Sequence, residues 1–177
     1  YLGRFVGITD RADTYRSDLR KGVAWDVNYL GQITGRELKF GLGFLYQGSA
    51  YKNTHDTGAD KIYMHYMAPQ VALTMVQKHY QLQFSGGIGY QLYRDKSTVY
   101  DKPRKVTMSK FAGNLSLSGE YFLSSHWGAS ARVNWLASSS ESYSVKYHNV
   151  EWDVESPRAG SGYFGQLSLL FGLNYHF

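Results

Sequence analysis

The sequence contains no cysteine, only three prolines and no apolar run approaching the about 18 residues that a membrane-spanning helix requires. The missing cysteine excludes a disulfide framework and a thiolate metal site. The missing apolar run excludes a transmembrane helix, and no stretch shows a convincing helical period. These absences do not exclude a membrane barrel, because its strands alternate apolar and polar residues.

Aromatic residues and glycine are abundant. Aromatics make up 16% of the 177 residues, led by 16 tyrosines, and there are 19 glycines. Tyrosine and tryptophan suit a protein that lines two membrane interfaces. The net charge of +5 is modest. It fits solvated loops, and it also fits attraction to anionic lipid head groups or polysaccharide.

The segment 162–177 alternates with a period of two, which predicts a strand. Its opposite face is polar or glycine, apart from Phe164 and Leu170. In a closed barrel this small polar face fits the narrow interior, so the bulky face must point outward into lipid. The bulky face is formed by Tyr163, Leu167, Leu169, Phe171, Leu173, Tyr175 and Phe177.

Seven further segments alternate in the same way, and long and short connections alternate between the eight strands. The long connections are predicted at about 10–21, 48–60, 93–107 and 137–161. This rhythm predicts an all-β, eight-stranded antiparallel up-and-down transmembrane β-barrel that forms one domain over residues 1–177. The long loops are then extracellular and both termini periplasmic. Pro69 removes a ladder donor and predicts a bulge or distortion in the fourth strand.

The sequence resembles the small eight-stranded outer-membrane proteins of the OmpA-barrel and OmpX/Ail type. The resemblance lies in the strand and loop rhythm and in the final segment Gly172, Leu173, Asn174, Tyr175, His176 and Phe177. It implies the bacterial outer membrane as location, with the lipid bilayer and lipopolysaccharide as surroundings. It also implies that the alternating pattern ending in Phe177 is the signal read by the barrel assembly machinery. Members of this group include adhesins, structural anchors and proteins with no assigned role.

The predicted inward face carries five charged residues among amides and hydroxyls. Charges in a narrow interior must pair or hydrogen-bond, because unpaired burial is costly. A polar plug that fixes the barrel register is the preferred interpretation, since eight strands leave no aqueous channel; a conducting pore is the alternative. The five residues are Asp26, Lys39, Lys110, Glu120 and Arg132.

The predicted loops are the expected working surface. The basic third loop is expected to meet phosphates of lipopolysaccharide or a sulfated host polymer, or to be simply solvated. In the fourth loop, Tyr147 and Trp152 belong to a partly alternating segment that either adds a partner's strand or is a hairpin capped by its own aromatics. The basic residues are Arg94, Lys96, Lys102, Arg104 and Lys105.

The sequence therefore predicts a non-enzymatic barrel that presents its loops for binding, adhesion or envelope integrity, with no cofactor, metal, catalytic residue or nucleic-acid partner. A lipid A-modifying acyl hydrolase or transferase is the alternative, but the His-x-Ser pattern of the deacylases is missing at His65. A soluble lipocalin-like barrel is the third candidate, although packing every large aromatic inside would overfill eight strands.

Overall fold

The structure is a computed structural model that describes residues 2–12, 21–34, 38–55, 58–99, 102–139, 142–147, 150–155 and 163–177. The described residues contain no helix long and apolar enough to cross a membrane. They form ten antiparallel strands: β1 Leu2–Ala12, β2 Lys21–Thr34, β3 Leu38–His55, β4 Gly58–Val76, β5 Tyr80–Val99, β6 Lys102–Phe122, β7 Trp127–Ser139, β8 Ser142–Tyr147, β9 Val150–Glu155 and β10 Tyr163–Tyr175.

Eight of these strands close into a ring. The order around the wall is β1, β2, β3, β4, β5, β6, β7 and β10, and β10 pairs with β1 from Leu2 opposite Tyr175 to Ala12 opposite Gly165. Strands β8 and β9 form an additional hairpin, and β8 pairs with β6 over Arg104–Thr107. The predicted eight-stranded up-and-down barrel is confirmed.

The two faces of the wall carry different chemistry. On β7, Trp135 and Val133 are each 44% exposed, whereas Asn134 between them is 1% exposed. The same alternation on the other ring strands sends large apolar side chains outward, and most of the buried polar side chains face inward. On β1 it settles the facing of Arg4, which is exposed on the outer face with Leu2 and Val6. The barrel is therefore inside out compared with a soluble one.

The second and third predicted loops, 48–60 and 93–107, are largely β-structure instead. Strands β3 and β4 stay paired as far as His55 opposite Gly58, and β5 and β6 as far as Val99 opposite Lys102. The reason is that apolar side chains continue along the inner face beyond the polar core. They form a buried cluster of Tyr51, Ile62, Met64, Tyr93 and Met108, which the prediction of loops had missed.

The other two predicted loops are only partly described. Residues 13–20 of the first lie outside the described residues, as do 140–141, 148–149 and 156–161 of the fourth. The described part of the fourth includes the β8–β9 hairpin. The described ring strands differ in length. Strands β3 to β6 run for 18, 19, 20 and 21 residues, whereas β1, β2, β7 and β10 have 11, 14, 13 and 13.

Pro69 lies at an interruption of the ladder, as predicted. The pairing of β4 with β5 runs to Met67 opposite Tyr90 and resumes at Val71 opposite Gly86, while β3 pairs with β4 without a break. The facing segment of β5 carries Gly87 and Gly89. A methyl group added at Gly89 would overlap the Met67 carbonyl oxygen, and one at Gly87 would overlap the Pro69 carbonyl oxygen. Strands β4 and β5 thus approach each other closely at the point where their ladder of pairs is interrupted.

We predict that Gly89→Ala destabilises the barrel by about 1–3 kcal/mol, because overpacking forces the two strands apart. Gly113→Ala is the matched control on the neighbouring strand, where the nearest atom to an added methyl group is the Gly87 carbonyl oxygen at 3.8 Å. The measurement is the urea unfolding midpoint of each refolded variant in detergent micelles. Equal midpoints for the two variants would contradict the close approach.

Candidate functional site

A buried ion pair crosses part of the barrel interior. Arg132 on β7 and Asp26 on β2 are each 2% exposed. The Arg132 Nη1 group donates to both Asp26 carboxylate oxygens, at 3.2 Å to Oδ1 and 3.1 Å to Oδ2. The alternation of each strand places both side chains inside, and the pairing lowers the cost of burying either charge.

A chain of amide hydrogen bonds spans the lumen beside this pair. Asn134 on β7 donates to the Gln47 side-chain oxygen on β3, which is four strands away around the ring of eight. Gln47 in turn donates to Ser168 on β10 at 3.3 Å. Asn114 on β6 donates to Asn134 at 3.1 Å and accepts a hydrogen bond from Tyr66 on β4 at 3.0 Å. Side chains from five strands therefore meet across the interior.

A second charged cluster lies at the end of the barrel near the short turns. Glu120 Oε2 accepts hydrogen bonds from Gln81 and Asn174, each at 2.5 Å, and its Oε1 lies 2.6 Å from His176 Nε2. Gly128 lies beside the same carboxylate, and a methyl group there would collide with it. Glu120 is 5% exposed. This cluster links β5, β6, β10 and the segment after β10 at one end of the lumen.

The structure places the five predicted interior charges at different points of the barrel wall. Arg132 and Asp26 meet, and Glu120 lies in its own cluster. Lys110 is buried on β6 opposite Gln91, while Lys39 is half-buried on the inner face of β3 near its start. His176 is absent from the predicted interior charges, although the alternation that puts Asn174 inside puts His176 inside as well.

The predicted basic surface divides between the two faces of the outer hairpins. Arg94, Lys96 and Lys105 are exposed on the outer face. Arg104 has inward parity and is half-buried. For three further predicted residues the structure gives the backbone register alone: Lys102 lies opposite Val99, Tyr147 opposite Val150, and Trp152 opposite Val145.

The predicted assembly signal lies on the outer face of β10. Phe171 is 59% exposed and the terminal Phe177 is 87% exposed. Tyr175 packs edge-on against Trp127, with ring centroids 5.1 Å apart, and against Phe177 at 5.2 Å. Leu167, Leu169 and Leu173 share this exposed face, while Tyr163 is described by its backbone alone. The side chains are thus accessible from outside the wall, and their reading by assembly machinery stays a prediction.

Two described histidines outside the interior, His65 and His126, make local side-chain contacts. His65 Nδ1 lies 2.8 Å from the Tyr46 hydroxyl and stacks on that ring, and His126 contacts Ser125 in an exposed turn at 2.8 Å. The described residues contain no group of three or more histidines and carboxylates placed to hold a metal ion. These contacts fit side chains fixed at the two rims of the barrel.

No protein-family model and no curated protein matches the sequence. Among solved structures, the chain is similar to Neisserial surface protein A, with 10% identity, 99% of this chain and 96% of that chain covered, and a TM-score of 0.62. The chain is a small eight-stranded barrel of the outer-membrane type.

Two further solved structures share the fold. The attachment invasion locus protein Ail of Yersinia pestis, in complex with the heparin analogue sucrose octasulfate, aligns with a TM-score of 0.61 at 8% identity, covering 99% of this chain and 97% of that one. The outer-membrane protease OmpT of Escherichia coli aligns with a TM-score of 0.56 at 15% identity. That alignment covers 90% of this chain and 65% of OmpT. At these identities the likeness establishes the fold alone.

We predict that Asp26→Asn lowers the free energy of unfolding by roughly 3 kcal/mol, because it leaves the Arg132 charge buried without its counterion. Replacing both partners with apolar residues, Asp26→Leu with Arg132→Met, should cost much less. The measurement is urea unfolding in micelles, with a double-mutant cycle built from Asp26→Leu, Arg132→Met and the double variant, and with exposed Arg94→Met as the control for losing an arginine. A single variant as stable as the wild type would contradict the role of the pair.

Proposed function

We propose that this chain is an integral barrel of the bacterial outer membrane whose outer hairpins serve binding, adhesion or envelope integrity, without catalysing a reaction. The interior is a polar plug, and the short turns and the C-terminal end of β10 face the periplasm. The belt of exposed apolar side chains faces the bilayer and its lipopolysaccharide. Assembly machinery reads the outer face of β10.

The observation that carries this proposal is the length of β3 to β6. A tilted strand needs about 9–11 residues to cross a bilayer, whereas these four strands have 18 to 21. The outer halves of these strands are not needed to cross the bilayer. They nevertheless stay paired, and their inner face carries the buried cluster that contains Tyr51 and Ile62. With the β8–β9 hairpin they form a sheet that rises beyond the membrane on one side, and an ordered sheet of this kind offers a fixed surface to a partner.

The plugged interior supports a role on the surface over a role in transport. The bond between Asn134 and Gln47 joins opposite walls of the lumen, and the Asp26 and Arg132 pair fills the level beside it. A cavity near Asn28 and Gln83 has room for about one water molecule. A hydrated ion would have to break these bonds in order to pass.

Two solved neighbours bear on the choice of activity. Ail is known in complex with a heparin analogue, and that precedent supports surface binding by this chain. OmpT is a protease, so the barrel fold is compatible with catalysis. The contacts of His65, His126 and His176 favour the non-enzymatic interpretation, since each histidine is engaged with a tyrosine, serine or glutamate rather than with a serine and carboxylate together.

We predict that the purified protein gives no steady ion conductance in a planar lipid bilayer, because side chains bridge the lumen. A porin reconstituted in the same way is the positive control. A stable open-channel current at low voltage would refute the plugged interior, but it would not contradict the membrane location.

We predict that the outer hairpins are accessible from outside the cell and the short turns are not. Because the 177 residues contain no cysteine, Lys96→Cys and Lys78→Cys each introduce one labelling site into them. Lys96 lies on the outer part of β5, and Lys78 lies in the turn between β4 and β5. A membrane-impermeant maleimide should label the Lys96 variant on intact cells and both variants after lysis. The reverse labelling pattern would refute the proposed orientation.

A further inference from the structure

A groove lies in the outer face of the wall, between β4 and β7. Its floor is formed by the outward positions Gly86, Gly113 and Ala137, whereas most of the outward positions around them carry large apolar side chains. The recess has a volume of about 1020 Å³, which is the size of a small-molecule site. We call it the wall groove.

The wall groove lies inside the apolar belt, whichever end of the barrel faces outward. Alternate residues of β5 point out of the wall from Tyr80 to Tyr90, and those between the two tyrosines are Leu82, Phe84, Gly86 and Ile88. About ten residues of a strand tilted by about 40° rise about 25 Å, which matches the height of the lipid-facing band between two aromatic girdles. Gly86 therefore faces hydrocarbon, and the solvent that reaches the groove is lipid.

The strand register fixes the direction in which the groove runs. Directly opposed residues lead once around the ring from Gly31 on β2, through Gly86 on β5, and back to β2 at Lys21. A stagger of about ten residues around eight strands corresponds to a strand tilt of about 40°. Lys21 lies nearer the outer hairpins than Gly31 does. A path perpendicular to the strands therefore climbs toward the hairpins as it passes from β2 to β3 and onward.

The two glycines of the floor are consequently stacked along the barrel axis. Gly113 lies opposite Ile88, so the step from Gly86 to Gly113 goes two residues up β5 and then one strand onward. Both parts of this step climb toward the hairpins, while their sideways components oppose each other and nearly cancel. The step is about 8 Å long and almost parallel to the axis. Ile88 and Leu115 occupy the other diagonal of the same four positions and form the two sides of the groove.

Leu73 closes the end of the groove that is nearer the short turns. It lies opposite Phe84, two residues before Gly86, so the step from Leu73 to Gly86 repeats the same geometry. The two steps together cover about 17 Å along the axis, which is close to the about 15 Å of hydrocarbon in one leaflet. Toward the hairpins the floor continues at Ala137, opposite Gly113.

The sides of the groove limit its width. Ile88 is 75% exposed and Leu115 is 45% exposed, so both side chains project from the wall beside the glycine floor. Their backbones are about 8 Å apart, which leaves width for one unbranched hydrocarbon chain and not for methyl branches. Leu115 leans toward Gly86, where its Cδ2 would lie 2.9 Å from an added methyl group, whereas the floor at Gly113 is open.

We propose that the wall groove binds one straight acyl chain of a membrane lipid, aligned with the bilayer normal. Elsewhere on the belt lipid chains touch a convex surface, whereas a chain in the groove contacts the wall on its floor and on both sides, and these dispersion contacts add up. The inference uses the location of the belt in a bilayer. It goes beyond the proposed role of the outer hairpins and does not depend on it.

The test measures which lipid stays with the full-length barrel during purification. The protein is equilibrated in detergent with equal amounts of dimyristoyl and diphytanoyl phosphatidylcholine, which share a head group and differ in the methyl branches of their chains. After washing with detergent, the retained lipid is quantified by mass spectrometry. The wild type should retain about one lipid per barrel, with the straight-chain lipid in about tenfold excess.

Three variants locate the site. Gly113→Leu should abolish the excess, because its nearest neighbour is 3.8 Å from an added methyl group and the leucine fills the groove without displacing the wall. Gly119→Leu is the matched control on the same strand and face, outside the groove, where the nearest atom is Leu82 Cδ2 at 3.6 Å. It should retain lipid as the wild type does. Ile88→Ala removes one side of the groove and should admit the branched chain, which lowers the preference.

Equal retention of the two lipids by the wild type, or a straight-chain excess that survives Gly113→Leu, would overturn the site. So would an equal loss in Gly119→Leu, or a dimer of the washed protein that depends on Gly113, since the groove would then be a contact between barrels. The urea unfolding midpoints of the two leucine variants should agree, which separates loss of the site from loss of the fold. A barrel that stays folded and monodisperse without detergent would instead contradict the membrane location.

Discussion

Closure of the strand ring is the constraint from which the other properties of this molecule follow. Once β10 pairs with β1 along eleven successive residues, none of the eight ring strands ends the sheet as a free edge, and every side chain must point into a narrow lumen or out of the wall. Large apolar side chains cannot all fit inside eight strands. They go outward, and the polar groups that remain inside must find partners there.

The interior meets that requirement with two separate solutions. At the level of Asp26 and Arg132, one ion pair and a chain of amides join facing walls, while nearer the short turns Glu120 gathers Gln81, Asn174 and His176. Toward the outer end the lining becomes apolar, with Tyr51, Ile62 and Met64 in one buried cluster. The outer hairpins thus have a buried apolar cluster of their own, and Asp60 and Asp95 are buried in the same part of the wall.

Much of this architecture could be predicted from period-two alternation, because a strand in a closed wall must sort its side chains by face. Alternation gave the eight ring strands and the inward position of Asp26, Glu120 and Arg132. The missing backbone donor of Pro69 gave the interruption in β4. It failed between 48 and 60 and between 93 and 107. Polar residues such as Lys52, Lys96 and Lys105 dominate those segments, which favoured loops. The apolar residues Tyr51, Ile62 and Tyr93 alternate with the polar ones but face inward, where the prediction had expected polar residues alone.

Other features could not be read from one chain. The stagger between distant strands decides that Arg132 contacts Asp26 and not Glu120. The strand register likewise decides which lysines lie opposite each other: Lys52, Lys61, Lys96 and Lys105 align across β3 to β6. If the segment 48–60 had been predicted as a hairpin, Lys52 would have been placed opposite Lys61, as the structure shows. Lys61 lies opposite Lys96 in the register that begins with Val76 opposite Gln81 beside the short turn, so this pair follows only if that register is carried along the whole of both strands.

The ion pair also bears on the order in which the barrel can form. Asp26 and Arg132 are 106 residues apart in the sequence, and the shorter path between their strands around the ring passes through β1 and β10, the two strands that meet at closure. Their side chains come within reach only when the first and last strands have joined. Contacts of such high sequence separation form late and slowly. The pair therefore stabilises only the closed barrel. It adds no stability to a sheet whose first and last strands have not yet paired.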